Sequence, residues 1–179
     1  EVVVPFTKPG LWPDGIPQAR FAAHIHQVLP VSCRVAMIGL ADDLGVKLNH
    51  GRPGAAGGPR AVREALARYG VAHAAGWSWP VVLDPGDVVP AHGHDETALH
   101  ETHHRVPAAV TALLDGGLFP IGIGGGHDLT FPLVRAATAK SKTPLSGLYF
   151  DAHLDVRETV GSGMAFRRLI EDCGVRELR

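Results

Sequence analysis

"LFPIGIGGGHDLTFPLVRAATAKSKTPLSGLYFDAHLD", residues 118–155, decides how this chain folds. An apolar run over 118–126 ends in three glycines. A helical pattern follows over 128–140, with Asp128 favourable at the helix's positive end. A second apolar run, 145–150, leads into Asp151. Strand, helix and strand at this spacing form one crossover of a parallel sheet. The same rhythm extends outward. "RVAMIGLA" (34–41) reads as a buried strand bounded by Asp42 and Asp43. "PRAVREALARYG" (59–70) reads as a helix: Pro59 suits the first turn, Val62, Leu66 and Tyr69 share a face, and Gly70 suits the stop. "PVVLDPGDVV" (80–89) reads as a strand broken at Pro85-Gly86. Residues 95–117 are helical with Pro107 as a kink or internal start, and "GMAFRRLIEDCG" (163–174) is a last helix ended by Gly174. The pattern predicts one α/β domain over 1–179, a parallel sheet with helices on both faces. A Pro-rich arm, 1–30, would lie over it.

Composition bounds the function loosely. Lys and Arg number 17 and Asp and Glu 18, a formal net charge of -1. That balance makes no electrostatic case for nucleic acid or an anionic membrane as a partner. No apolar run reaches the length of a membrane-spanning helix, and "EVVVPFTKPGLWPDG" does not read as a secretory signal. The two cysteines, Cys33 and Cys173, are far apart and read as ordinary thiols of a reducing compartment. Eleven histidines among 179 residues make a metal site worth seeking.

Chemistry in such sheets gathers beyond the C-terminal ends of the strands. Two segments there are unusual. "GGGHD" leaves the space beside His127 free of side chains. It lacks the lysine of a phosphate-binding loop and the GxGxxG of a dinucleotide site. "FDAHLD" places Asp151, His153 and Asp155 at alternate positions, one row if the chain stays extended past Phe150. Two close buried carboxylates need compensation, which a divalent cation supplies. Carboxylate with imidazole suits Mn, Zn or Fe(II). If the two strands are neighbours, His127, Asp151, His153 and Asp155 meet in one crevice. The five histidines of "HGHDETALHETHH" (92–104) read instead as a solvated helix face. Trp77 and Trp79 read as packing, and Arg167 and Arg168 as a solvated face.

"GGGHD", "FDAHLDVRE" and "GSGMAFRRLIE", in this order, resemble the ureohydrolase family of arginase, agmatinase and formimidoylglutamase. "GVKLNHGRPGAAGGPRAVREAL" (45–66) and "LDPGDV" (83–88) extend the likeness from about residue 35 to the end. The resemblance implies an arginase-like three-layer α/β sandwich with two Mn2+ ions. His127 and Asp155 would hold one ion, His153 the other, and Asp151 would bridge them. It implies hydrolysis of a C–N bond in a small formimidoyl or guanidino substrate, in the cytoplasm, by a homo-oligomer. Arginase and agmatinase carry a His a few residues beyond the Ser-Gly, where this chain has Phe166. "DVR" with "SG-x-x-F-R" looks more like formimidoylglutamase, with Arg157 holding a substrate carboxylate and Ser162 orienting the substrate. A urea-releasing guanidino hydrolase is the alternative within the family, and a non-catalytic metal-binding fragment the alternative outside it. The family's later Asp-x-Asp is missing from these residues, so the chain is expected to be the N-terminal portion of a larger domain, its sheet incomplete at the C-terminus.

Overall fold

The computed structural model describes residues 2–30, 32–70 and 80–179; Trp77 and Trp79 lie outside them. The central strands are β3 (Val35–Leu40) and β4 (Val82–Val88), paired in parallel. β5 (Phe119–Ile123) runs parallel on the other edge of β3. Two short strands from the N-terminal stretch join β4: β1 (Thr7–Lys8), antiparallel, and β2 (Ile25–His26), parallel. The stretch expected to lie over the domain therefore also extends its sheet.

β4 is not broken at Pro85-Gly86. It continues with a bulge, because Ala36 faces Leu83 while Ile38 faces Gly86. Gly86 has φ +99°, and a Cβ there would fall 1.9 Å from the Lys8 carbonyl oxygen, so only glycine fits the bend. α3 (Glu96–Asp115) likewise runs through Pro107. Proline removes the N–H that would bond the His103 carbonyl. Arg135 Nη2 donates to that oxygen at 2.7 Å instead, so the helix loses little. Asp95 caps its start by accepting the Ala98 N–H.

α3 and α4 (Thr130–Lys140) cover one face of the sheet. Val106, Ala109, Val110 and Leu113 of α3 and Ala136 of α4 pack on Ala36, Ile38, Leu40 and Leu83. α2 (Gly58–Leu66) covers the other face, with Pro59 against Gly39. Its buried face is not the expected one, since Tyr69 is exposed and Arg63 is buried. The reason is the sheet beneath. Asp84 and Asp87 project there, and Arg63 bonds both: Nε and Nη2 to Asp84 at 2.7 and 2.9 Å, Nη1 to Asp87 at 2.7 Å. Trp12 adds an indole N–H to Asp84 at 2.7 Å.

The expected strand over 145–150 departs most. Only β6 (Ser146–Gly147) forms, and it pairs with β7 (Glu177–Leu178) in a separate ribbon beside α5 (Ala165–Cys173). β5 ends the main sheet among the described residues. No main-sheet strand among the described residues pairs with 148–150; the Tyr149 N–H donates instead to the Arg179 carbonyl at 2.8 Å, and Leu148 and Phe150 stand exposed. The two strand tips are thus not hydrogen-bonded neighbours.

Candidate metal centre

The turn after β5 is fixed by close backbone approach. Gly126 N–H donates to the Asp42 carbonyl at 2.7 Å, and a Cβ on Gly125 would lie 2.1 Å from that oxygen. His127 opens the short 3-10 turn that leads into α4. Asp128 points inward, where its Oδ2 lies 2.9 Å from Nε2 of His103 on α3, both residues buried. The reading of that histidine cluster is corrected here. His100 and His104 face solvent, whereas His103 lies on the stripe of Leu99, Thr102 and Val106 that meets the core.

Asp151, His153 and Asp155 do not form an extended row. Asp151 Oδ1 accepts the His153 backbone N–H at 2.8 Å, a local turn that competes with strand. Asp155 has φ +46°, in the left-handed region that Asp tolerates better than most residues. The loop nevertheless brings both carboxylates to His127. Asp151 Oδ2 is 3.6 Å from His127 Nδ1, and Asp155 Oδ2 is 3.6 Å from Nε2. One ligand atom from each of the three residues lies within 4.8 Å of the others.

These separations exceed a hydrogen bond. His127 Nε2 is buried with no hydrogen-bond partner, although two carboxylates stand close by. Donors held just beyond contact around a common space suit a cation, and this set suits a borderline divalent metal. The His153 N–H holds the Asp151 carboxyl below the usual carboxylate range, so it is ionised as a ligand must be. His153 lies outside this group. Its side chain is 79% exposed, with Nδ1 3.1 Å from Asp151 Oδ1. Phe166 stacks edge-on against His127, ring centres 5.4 Å apart.

The three candidate donors line a cleft of about 510 Å³ together with His153, Arg157, Ser162 and Asn49. Glu158 and Glu171 both pair with Arg167, at 3.2 and 2.9 Å, so neither neutralises Arg157. Arg168 pairs with Asp172, as a solvated helix face should. Arg157 Nη1 donates to Asn49 Oδ1 at 2.9 Å, and Asn49 Nδ2 donates to Ser162 Oγ at 3.2 Å. Asn49 is 108 residues from Arg157, and nothing in its local sequence marked it. A larger cleft, about 710 Å³, lies between residues 11–17 and α2, lined by Arg60 and Glu64 among others. It contributes none of the three candidate metal donors grouped above.

Comparison with known proteins identifies the family and the fold. The arginase family profile matches residues 33–178. The chain is 39% identical over 156 residues to the formimidoylglutamase of Aromatoleum aromaticum, covering 80% of this chain and 44% of that one. It therefore spans less than half the length of that curated relative. The formiminoglutamase of Trypanosoma cruzi, solved with Mn2+, superposes with a TM-score of 0.68 at 33% identity, over 78% of this chain and 48% of that one. The proclavaminate amidino hydrolase of Streptomyces clavuligerus superposes with a TM-score of 0.72 at 25% identity, over 90% and 55%. Matched across all of its central strands and the residues of the cleft, the chain belongs to the arginase family.

Proposed function

We propose that this chain is the part of a manganese-dependent hydrolase that carries His127, Asp151, His153 and Asp155. The reaction of the complete protein is formimidoylglutamate and water to glutamate and formamide. One observation supports the reading above others: the three converging candidate metal donors share a cleft with an arginine that pairs with no carboxylate among the described residues. A substrate with an electrophilic amidine carbon and a nearby carboxylate matches both. His127 and Asp155 would hold one ion, His153 the other, and Asp151 both. His153 must then turn from solvent. Bound there, the two ions would lower the pKa of a shared water, making hydroxide available near neutral pH.

The chain's own residues do the positioning. Arg157 and Ser162 hold the carboxylate, which sets the amidine carbon toward the donors. Phe166 packs edge-on against the His127 ring and helps hold it in place. Phe166 also favours the formimidoyl substrate, because guanidino-cleaving relatives have a histidine there. The same reading places the protein in the cytoplasm, in histidine breakdown and as a homo-oligomer, on the strength of the family resemblance.

The test is the Mn2+-loaded complete protein with formimidoylglutamate and with arginine or agmatine. Formamide release, abolished in Asp151→Asn, is expected. Urea as the dominant product overturns the substrate, and full activity in Asp151→Asn overturns the centre.

A further inference from the structure

The amide of Asn49 lies between the two groups proposed to hold the substrate carboxylate, and its orientation follows from chemistry. A guanidinium has only donors. Arg157 Nη1, at 2.9 Å, therefore requires the amide oxygen on its side. The amide nitrogen must then face Ser162, 3.2 Å away. That nitrogen is donor-only, so Ser162 Oγ accepts from it and its own hydrogen is free to point elsewhere. The result is a wall rich in free donors: the remaining N–H groups of Arg157 and the O–H of Ser162. A carboxylate accepts from such a wall with both oxygens and with charge assistance, whereas a neutral amide has one acceptor oxygen and a weaker bond.

The backbone holds this arrangement. Asn49 ends α1 (Leu44–Leu48), its N–H on the Gly45 carbonyl. The 157–163 loop closes on itself through Arg157 N–H to Gly163 O at 2.9 Å. Gly161 approaches so closely that a Cβ there would be 3.0 Å from Gly45 O and 3.1 Å from Asn49 Cβ. The loop carrying Arg157 and Ser162 is docked on the end of α1, and the Asn49 amide is the polar contact that joins them.

From this juxtaposition we infer that Asn49 is a positioning residue that makes the cleft selective for carboxylate-bearing substrates, by fixing the Arg157 fork and turning the Ser162 hydroxyl into a donor. The inference rests on the functional reading above and deepens it.

The test compares formimidoylglutamate with its diamide, in the complete Mn2+-loaded protein and in Asn49→Asp. Aspartate keeps an acceptor for Arg157, cannot donate to Ser162 and neutralises the guanidinium. The expected result is a KM for formimidoylglutamate raised by roughly 10- to 100-fold, the weight of a lost charge-assisted contact. The preference for the carboxylate over the diamide falls by about tenfold or more. Asn49→Ala, which removes the bridge without adding charge, narrows the same preference and covers the case where the aspartate variant fails to fold. Equal losses on both substrates are what a purely structural role gives, and they overturn the inference, as does an unchanged preference. If the unmodified protein does not cleave formimidoylglutamate, the functional reading fails before Asn49 is at issue.

Discussion

Replacing His103 by leucine should cost this protein about 3 kcal/mol, although the residue lies in a run of histidines that looks solvated. The magnitude follows from what would remain. Asp128 is 1% exposed. Among the described residues its Oδ1 already lacks a hydrogen-bond partner, and Oδ2 has His103 alone, at 2.9 Å. Without the imidazole, a buried carboxylate keeps no side-chain partner. Breaking such a pair costs about 3–5 kcal/mol for a fully charged pair and about 1–3 kcal/mol for a neutral donor, which brackets the value chosen. For a chain of this size, 3 kcal/mol lowers the melting temperature by roughly 6–12 °C. Urea unfolding by circular dichroism and calorimetry would measure both. His100→Ala and His104→Ala, on exposed neighbours, should stay within about 0.5 kcal/mol. His103→Leu with Asp128→Leu should regain part of the loss, because both polar groups leave together. A cost below about 1 kcal/mol for His103→Leu, or equal costs at all three histidines, would refute the argument.

Two further outcomes are expected. Arg63→Met leaves Asp84 and Asp87 facing each other under α2 and should destabilise by about 3–5 kcal/mol in urea. Arg63→Lys should recover only part, since one ammonium cannot reproduce the fork. Asp43 should make stability fall in acid. Burial pushes its carboxyl up, but the Lys47 ammonium and the Gly54 and Ala56 N–H groups outweigh this and hold it below the ordinary value. A depressed carboxyl contributes stability above the ordinary carboxylate range and loses it as pH falls through the lowered value. The urea midpoint of Asp43→Asn should therefore fall less steeply in acid than that of the unmodified protein.

Periodicity and turn chemistry made the α/β class legible, along with β3, β5, α4 and the stop of α5 at Gly174. The family motifs led to the residues around His127 because those residue types are rare together at strand ends. What local sequence could not carry was pairing. The strand expected at 145–150 shrank to two residues because a ladder needs a partner, and among the described residues only the short stretch 177–179 supplied one.

The sequence by itself determined the alternation of elements and named the candidate metal donors, since both follow from side-chain type and near-neighbour spacing. Tertiary structure alone decided which polar groups meet. It buried Arg63 on two aspartates, distinguished His103 from His100 and His104, and placed Asn49 between Arg157 and Ser162. The physical reason is shared: a polar group inside the fold or in its cleft takes its meaning from partners tens of residues away, and no local pattern encodes that distance.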